Sequence, residues 1–130
     1  MKIGEAARRS EVNAKMIRHY EAIGLVRPRR HANNYRVYTE QTVATLRFIR
    51  HARDLAMPLA EVKALLSLWD GRATPEKVRA QAEAEVRRLE GKAASLRAMA
   101  AALRDLADTV EEDRPHVPRF GKRSLLLASG

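Results

Sequence analysis

Two stretches near the start of the chain decide its fold: Tyr20-Glu21-Ala22-Ile23-Gly24-Leu25-Val26 and, after an arginine-rich turn, Asn33-Asn34-Tyr35-Arg36-Val37-Tyr38. The first stretch should end a helix, because Gly24 suits a left-handed stop and Pro28 prevents the helix from resuming. The second should form a hairpin, because an Asn33-Asn34 tip tolerates positive φ. Two short helices followed by such a hairpin predict a winged helix-turn-helix, a module that binds duplex DNA.

Two short helical patterns form the first part of this module. One spans about Ile3 to Arg9, and the other begins at the N-cap Asn13 and continues through Ala22. The second helix has an apolar face, around which lie the polar residues Lys15, Arg18 and His19. It is therefore the candidate recognition helix.

The positive charge of the chain is concentrated in the same region. Residues 1–53 contain 12 of the 25 Lys and Arg residues but only four of the 16 acidic residues, so they carry +8 of the net charge of +9. A localised surplus favours a phosphate-facing module, because cations placed against a duplex release its condensed counterions. Charge alone leaves open a basic protein that binds polyanions without selectivity.

Two further helices are predicted to support the module. Thr39 is an N-cap candidate before an acidic first turn, and its helix should continue through about Leu55. Met57-Pro58-Leu59 interrupts the pattern, and a fourth helix is expected from about Leu59 to Trp69. Trp69 continues the apolar spacing of that helix, so it is expected in the core rather than at a ligand.

The second half of the chain is one long helical pattern. Thr74-Pro75 is a helix-start signal, and no turn cluster follows until Pro115. A helix of about 36 residues at 1.5 Å rise is about 54 Å long, too long to bury its own stripe in so small a protein. Self-pairing into a twofold dimer is favoured over packing back on the first domain. The stripe has the heptad spacing of a coiled coil and consists of Ala82, Val86, Leu89, Ala93, Leu96, Ala100, Leu103, Ala107 and Val110.

Composition excludes several functions. The 130 residues allow one DNA-binding domain with an appendage. No run approaches the roughly 20 apolar residues of a membrane helix and no secretory signal is apparent, so a cytoplasmic protein is expected. The chain has no cysteine, which excludes disulfides, thiolate metal sites and cysteine nucleophiles. No catalytic triad, carboxylate pair or glycine-rich phosphate loop occurs, so neither an enzyme nor a cofactor is expected.

Several stretches are specific when taken together: Ile3–Ala7, Ile17–Val26, Asn34–Tyr38, and Leu46–Ile49 followed by Ala52-Arg53. They resemble the MerR-type transcriptional regulators over nearly the whole chain, to about Phe120. The resemblance implies a homodimer joined by an antiparallel coiled coil, bound to an operator in a promoter whose spacer is overlong. Such regulators repress in one state and, in the other, kink and untwist the DNA so that RNA polymerase can engage it.

The resemblance also implies which residues meet DNA. On the second helix, Lys15, Arg18 and Tyr20 would meet bases or phosphates in the major groove, with His19 beside them. Base readout is assigned to none of them, because half or more of such contacts go to phosphates. Tyr20 lies on the apolar face, so packing is as much expected as contact. In the wing and after it, the implied residues are Arg29 and Arg30, which would lie along or in the minor groove, and Tyr35, Arg36 and Tyr38 against the backbone.

Within the family, the nearest likeness is the copper-efflux branch, in which the dimerisation helix precedes a loop with two cysteines. Matching Arg114-Pro115 and Pro118 to that loop places Thr109 and Val117 at the two cysteine positions. Neither residue replaces a thiolate, the ligand that selects Cu(I). His116 beside acidic residues is a weaker candidate for a harder metal such as Zn(II), and no metal site is assigned.

The predicted fold class is all-α with a small β wing. Residues 1–70 are expected to form the winged helix-turn-helix domain, 74–111 the dimerisation helix and 112–130 an effector-type loop and tail. The seam residues are Val86, Leu89, Leu96, Leu103 and Val110. The favoured function is a sequence-specific regulator that binds a pseudo-palindromic operator as a dimer, without thiolate metal sensing. Control by a small organic effector or a partner protein stays open, as does an architectural DNA-bending protein.

Overall fold

The computed structural model describes residues 1–27, 29–30 and 36–110, with only the backbone of Arg29, Arg30 and Arg36. The chain divides into two compact units, Met1–Thr74 and Pro75–Gly130. The mostly helical architecture predicted from the sequence is confirmed. In chain order, the elements of the described residues are α1 (Ile3–Ser10), α2 (Ala14–Ala22), β1 (Arg29–Arg30), β2 (Arg36–Val37), α3 (Glu40–Asp54), α4 (Leu59–Leu66), a 3₁₀ turn (Ser67–Trp69) and α5 (Pro75–Thr109).

Local signals set the helix ends in the first unit. The side chain of Asn13 accepts a hydrogen bond from the Met16 amide at 2.8 Å, and that of Thr39 accepts one from the Thr42 amide at 3.2 Å. Both predicted N-caps are therefore confirmed. Gly24 has a φ of +84°, the left-handed conformation that glycine adopts without a Cβ penalty.

The four helices of the first unit enclose one hydrophobic core. Ile17 and Tyr20 fix one face of α2 in this core, and Ser10 is buried with its hydroxyl accepting the Val12 amide at 3.2 Å. A buried hydroxyl with a partner avoids the cost of an unsatisfied polar group. The buried apolar residues are Ala6, Val12, Ile17, Tyr20, Leu25, Val26, Tyr38, Val43, Leu46, Ile49, Ala52, Met57 and Val62.

β1 and β2 form a two-stranded antiparallel ladder, in which Arg29 faces Val37 and Arg30 faces Arg36. Tyr38 follows β2 directly, and its amide donates to the Met1 carbonyl at 2.7 Å. This bond ties the end of the ladder to the residues before α1. The predicted Asn33-Asn34 tip lies outside the described residues, so its wing conformation stays a prediction.

Trp69 differs from its predicted place in the core. Its side chain is 68% exposed and packs edge-on against the Phe48 ring, with centroids 5.7 Å apart. The α-helical part of α4 ends at Leu66 and the chain continues as a 3₁₀ turn. A 3₁₀-helix has 3.0 residues per turn, whereas an α-helix has 3.6. The side chain of Trp69 therefore does not continue the buried face of α4.

The second unit contains the 35-residue helix α5, which begins at Pro75 as predicted and ends at Thr109. None of its residues is buried, whereas its large apolar residues Val86, Leu96, Met99 and Leu103 are exposed, as is Val110 directly after it. No helix among the described residues is both long and apolar enough to cross a membrane.

Candidate nucleic-acid interface

The exposed face of α2 carries three of the predicted DNA-binding residues. Lys15, Arg18 and His19 are exposed there, opposite the buried Ile17 and Tyr20. Neither Lys15 nor Arg18 has an ion pair with any residue in the described part of the chain. No carboxylate of the described residues therefore compensates their charges, and cations without such a partner attract phosphates most strongly.

Two arginines of α3 contact the end of α1 and the turn between α1 and α2. Arg47 donates from Nε and Nη2 to the Arg9 carbonyl, at 3.1 and 2.8 Å, near the end of α1. Arg50 lies 3.8 Å from the carboxylate of Glu11, which stands in the turn at a φ of 61°. These two side chains thus contact the fold itself, at the end of α1 and in the turn that follows it.

Sequence reasoning missed this scaffold role because it counted every arginine towards the phosphate-facing surplus. One signal was available: Arg50 and Asp54 are four residues apart on a helix, a spacing at which side chains meet. Their charged atoms lie 3.6 Å apart in the structure. The carbonyl that Arg47 caps could not have been identified, since 38 residues separate the partners.

Arg9 is a third arginine of this region that is already paired. Its guanidinium makes two hydrogen bonds to the Glu40 carboxylate, at 2.6 and 2.5 Å, and approaches Glu5 at 3.9 Å. The hydrogen bond from Arg9 lowers the pKa of Glu40, and the same bond raises the pKa of Arg9. The pair is exposed, so salt should screen it. The number of positive charges that remain available to DNA is therefore smaller than the number of Lys and Arg residues in the sequence.

The rings of Tyr20 and Tyr38 lie in the core, where the sequence had left packing open for Tyr20 and had indicated a DNA-facing position for Tyr38. Tyr20 is 5% exposed, with its ring 6.0 Å from that of His19. Tyr38 is 1% exposed, and its hydroxyl donates to the carboxylate of Glu21 on α2. Both rings therefore serve packing, and a contact of either hydroxyl with a phosphate stays a prediction. The apolar spacing of α2 had indicated this outcome for Tyr20 but not for Tyr38.

The predicted wing arginines belong to the paired strands. Arg29 and Arg30 form β1, and Arg36 opens β2, so the ladder brings all three together. Tyr35 lies outside the described residues. Because β2 runs directly into Tyr38, the ladder is attached to the residue that bonds α2. The contacts of these arginines with DNA stay a prediction.

The predicted seam and sensor positions lie in or beyond α5. Thr109 ends the helix, and its hydroxyl donates to the Asp105 carbonyl at 2.8 Å, while Val117 lies outside the described residues. In the part of the chain that the structure describes, no group of three or more His, Asp or Glu residues could hold a metal. The predicted seam residues are the exposed Val86, Leu96, Leu103 and Val110 and the half-buried Leu89.

The sequence of this chain is similar to those of known proteins. Residues 1–69 match the family described as MerR HTH family regulatory protein, and residues 43–106 match MerR, DNA binding. The chain is 43% identical over 121 residues to heavy metal-dependent transcription regulator 2 of Rhizobium meliloti, over 91% of this chain and 82% of that protein.

Solved structures give the same result. A MerR family transcriptional regulator from Listeria monocytogenes is 28% identical, with a TM-score of 0.65 over 85% of this chain and 83% of that one. The transcription regulator PbrR691 from Ralstonia metallidurans, solved with lead(II), is 30% identical, with a TM-score of 0.53 over 99% and 98%. The chain therefore belongs to the MerR HTH family of regulatory proteins and is a DNA-binding transcription regulator.

Proposed function

We propose that the protein binds a pseudo-palindromic promoter operator as a homodimer, with α2 in the major groove and the β1–β2 ladder along the neighbouring backbone or minor groove. The observation that carries this proposal is the pair of exposed cations, Lys15 and Arg18, which form no ion pair with a described residue and lie on a helix whose other face is fixed in the core. Sequence would be read by α2, and the ladder arginines would set register through phosphates. No residue is assigned a catalytic role.

The homodimer is supported by the exposed stripe of α5. Val86, Leu96 and Leu103 are each at least half exposed in the single chain and recur at heptad spacing. Burying such side chains against a second copy would gain roughly 25 cal/mol per Å² of apolar surface. An antiparallel coiled coil of two α5 helices covers both stripes and places the two DNA-binding units about a twofold axis.

Regulation would follow from the distance between the two α2 helices. A dimer fixes that distance, so an operator whose half-sites do not match it must bend or untwist, at a cost of order 1–6 kcal/mol. The distortion would realign the promoter elements and repress or activate transcription. RNA polymerase would then respond through the DNA, in the cytoplasm, rather than through a direct contact.

We further propose that this regulator works without thiolate metal sensing. The relative from Rhizobium meliloti is named as heavy metal-dependent, but this chain contains no cysteine, and the Thr109 hydroxyl bonds its own helix. Neutral hydroxyls are poor ligands for soft metals. In vitro transcription from the promoter beside the protein's own gene should change on adding protein and be the same with a chelator or with Cu(I). A switch that depends on Cu(I) would contradict this proposal.

Arginine truncation tests the interface itself. Arg18→Ala should weaken operator binding about tenfold, because a groove contact contributes roughly 1–3 kcal/mol, and Arg36→Ala should weaken it through the backbone. Arg79→Ala is the matched control, since it removes the same charge from an exposed position on α5. Titrations of labelled operator should show a loss for Arg18→Ala well beyond that of the control. Equal losses of operator affinity for Arg18→Ala and Arg79→Ala would mean that α2 does not contact the operator.

A further inference from the structure

Tyr38 joins three parts of the first unit although it stands in the link between β2 and α3. Its amide donates to the Met1 carbonyl at 2.7 Å, and its hydroxyl donates to Glu21 in the last turn of α2. The side chain is 1% exposed. A substitution at Tyr38 can therefore change DNA binding only by moving the groups that Tyr38 contacts.

We propose that Tyr38 and Glu21 are positioning residues for DNA recognition: their hydroxyl–carboxylate bond holds the base of the β1–β2 ladder at a fixed place relative to α2. The two elements would then meet the operator in one register. This inference rests on the proposed function, in which α2 and the ladder both meet the duplex.

The ladder needs such an anchor because each of its strands has only two residues. A two-stranded hairpin is marginally stable by itself, so tertiary contacts must set its direction. A hydrogen bond to a carboxylate is about twice as strong as a neutral one. The bond also crosses 17 residues of sequence, so it fixes an arrangement that local chain geometry does not determine.

Two single-group substitutions test the bond. Tyr38→Phe removes only the hydroxyl and changes no charge. Glu21→Gln keeps the shape of the side chain but removes a negative charge, which by electrostatics alone would strengthen DNA binding. Positioning predicts the opposite sign for Glu21→Gln. Glu61→Gln is the matched control, because it makes the same charge change at an exposed residue of α4.

Affinity for the operator and for an unrelated duplex should be measured for each variant, together with its melting temperature. Tyr38→Phe should weaken operator binding about tenfold, equivalent to about 1.4 kcal/mol, and Glu21→Gln should weaken it less, because a neutral amide oxygen is a poorer acceptor than a carboxylate. Both variants should change binding to the unrelated duplex less than about twofold. The double variant should lose no more than Tyr38→Phe alone, because Tyr38→Phe already removes the bond that Glu21→Gln only weakens. Unchanged operator affinity in both variants, or additive losses, would overturn the inference.

Amide hydrogen exchange of the DNA-free protein gives a second readout. In Tyr38→Phe, exchange should become faster at Tyr38 and at Leu25, whose amide bonds the Tyr20 carbonyl at 2.9 Å, and stay the same at Leu46 in α3. Unchanged exchange at Tyr38 and Leu25 would overturn the inference. A wild-type protein with no preference for the operator would instead refute the proposed function, and the exchange rates would still decide whether the bond fixes the ladder.

Discussion

The two units differ in where their apolar residues lie. The first unit encloses side chains such as Ile17, Leu46 and Val62, each with no exposed surface, whereas α5 has no buried residue and leaves Leu103 61% exposed. Both units carry helical apolar patterns, so periodicity alone does not decide burial. The first unit thus has a core of its own, while α5 has an apolar stripe that no described residue covers.

Unfolding should reveal this difference through its dependence on protein concentration. A core within one chain gives a stability that is independent of concentration, whereas a stripe covered by a second copy gives one that rises with it. Substitutions in the first unit should therefore change its stability at every protein concentration, whereas substitutions in the stripe of α5 should change association.

The largest effect is expected from Leu46→Ala, which empties a fully buried position of α3. Truncating a buried leucine typically costs about 2–5 kcal/mol through lost transfer free energy and the remaining cavity. Urea unfolding should show this loss at every protein concentration. A cost below about 1 kcal/mol would mean that the first unit is not held by this core.

Leu96→Glu should act on association rather than on the first unit. Leu96 is 55% exposed in the single chain, so a charge is tolerated there until a partner covers it, and burial of an unpaired charge is costly. The dimer dissociation constant should rise about a hundredfold, or about 2.7 kcal/mol. Sedimentation would measure it.

The matched control for this change is Ala98→Glu, an exposed α5 residue outside the apolar stripe. It should leave the dimer nearly unchanged. If both glutamates weakened association equally, the interface would not follow the stripe.

A smaller effect, and one that stabilises the protein, is expected from Ala56→Gly between α3 and α4. Ala56 has a φ of 60°, a conformation that costs a residue with a Cβ roughly 1–2 kcal/mol, partly offset by the greater freedom of glycine in the unfolded chain. The net gain in unfolding free energy should be about 0.5–1 kcal/mol.

Gly24→Ala tests the reverse change, since Gly24 has a φ of +84° and, apart from its two chain neighbours, no described residue has an atom within 4 Å of an added Cβ. It should lose a similar amount through backbone strain alone. Thermal unfolding of both variants measures the two effects, and changes of the same sign would contradict the assignment.

The smallest effect concerns the exposed pair of Arg9 and Glu40. Arg9 lowers the pKa of Glu40 below its ordinary value of 4.5, so the pair stabilises the folded state above that pH. The contribution should disappear as the pH falls through the lowered pKa in the folded protein. Glu40→Gln should therefore reduce stability near neutral pH and remove part of the acid dependence.

Urea unfolding between about pH 3 and 6 at low salt would measure this dependence, with Glu61→Gln as the control. An acid dependence of Glu40→Gln identical to that of the wild type would contradict the pairing.

Local signals were readable from the sequence because they act over a few residues. The caps at Asn13 and Thr39 and the left-handed Gly24 depend on neighbours within one turn. Burial of Tyr38 could not be predicted from the sequence, because its partner Glu21 is 17 residues away. For the same reason Arg47 was counted as a cation and not recognised as the cap of a carbonyl on α1.

The central claim is that two chains bind one operator, each through its first unit. The most direct measurement is the mass of the complex, by sedimentation velocity, of the protein with duplex DNA from the promoter beside its own gene, alongside a shuffled duplex of equal length. Two chains per promoter duplex are expected, with no comparable complex on the shuffled sequence. One chain per duplex, or equal binding to both sequences, would contradict it.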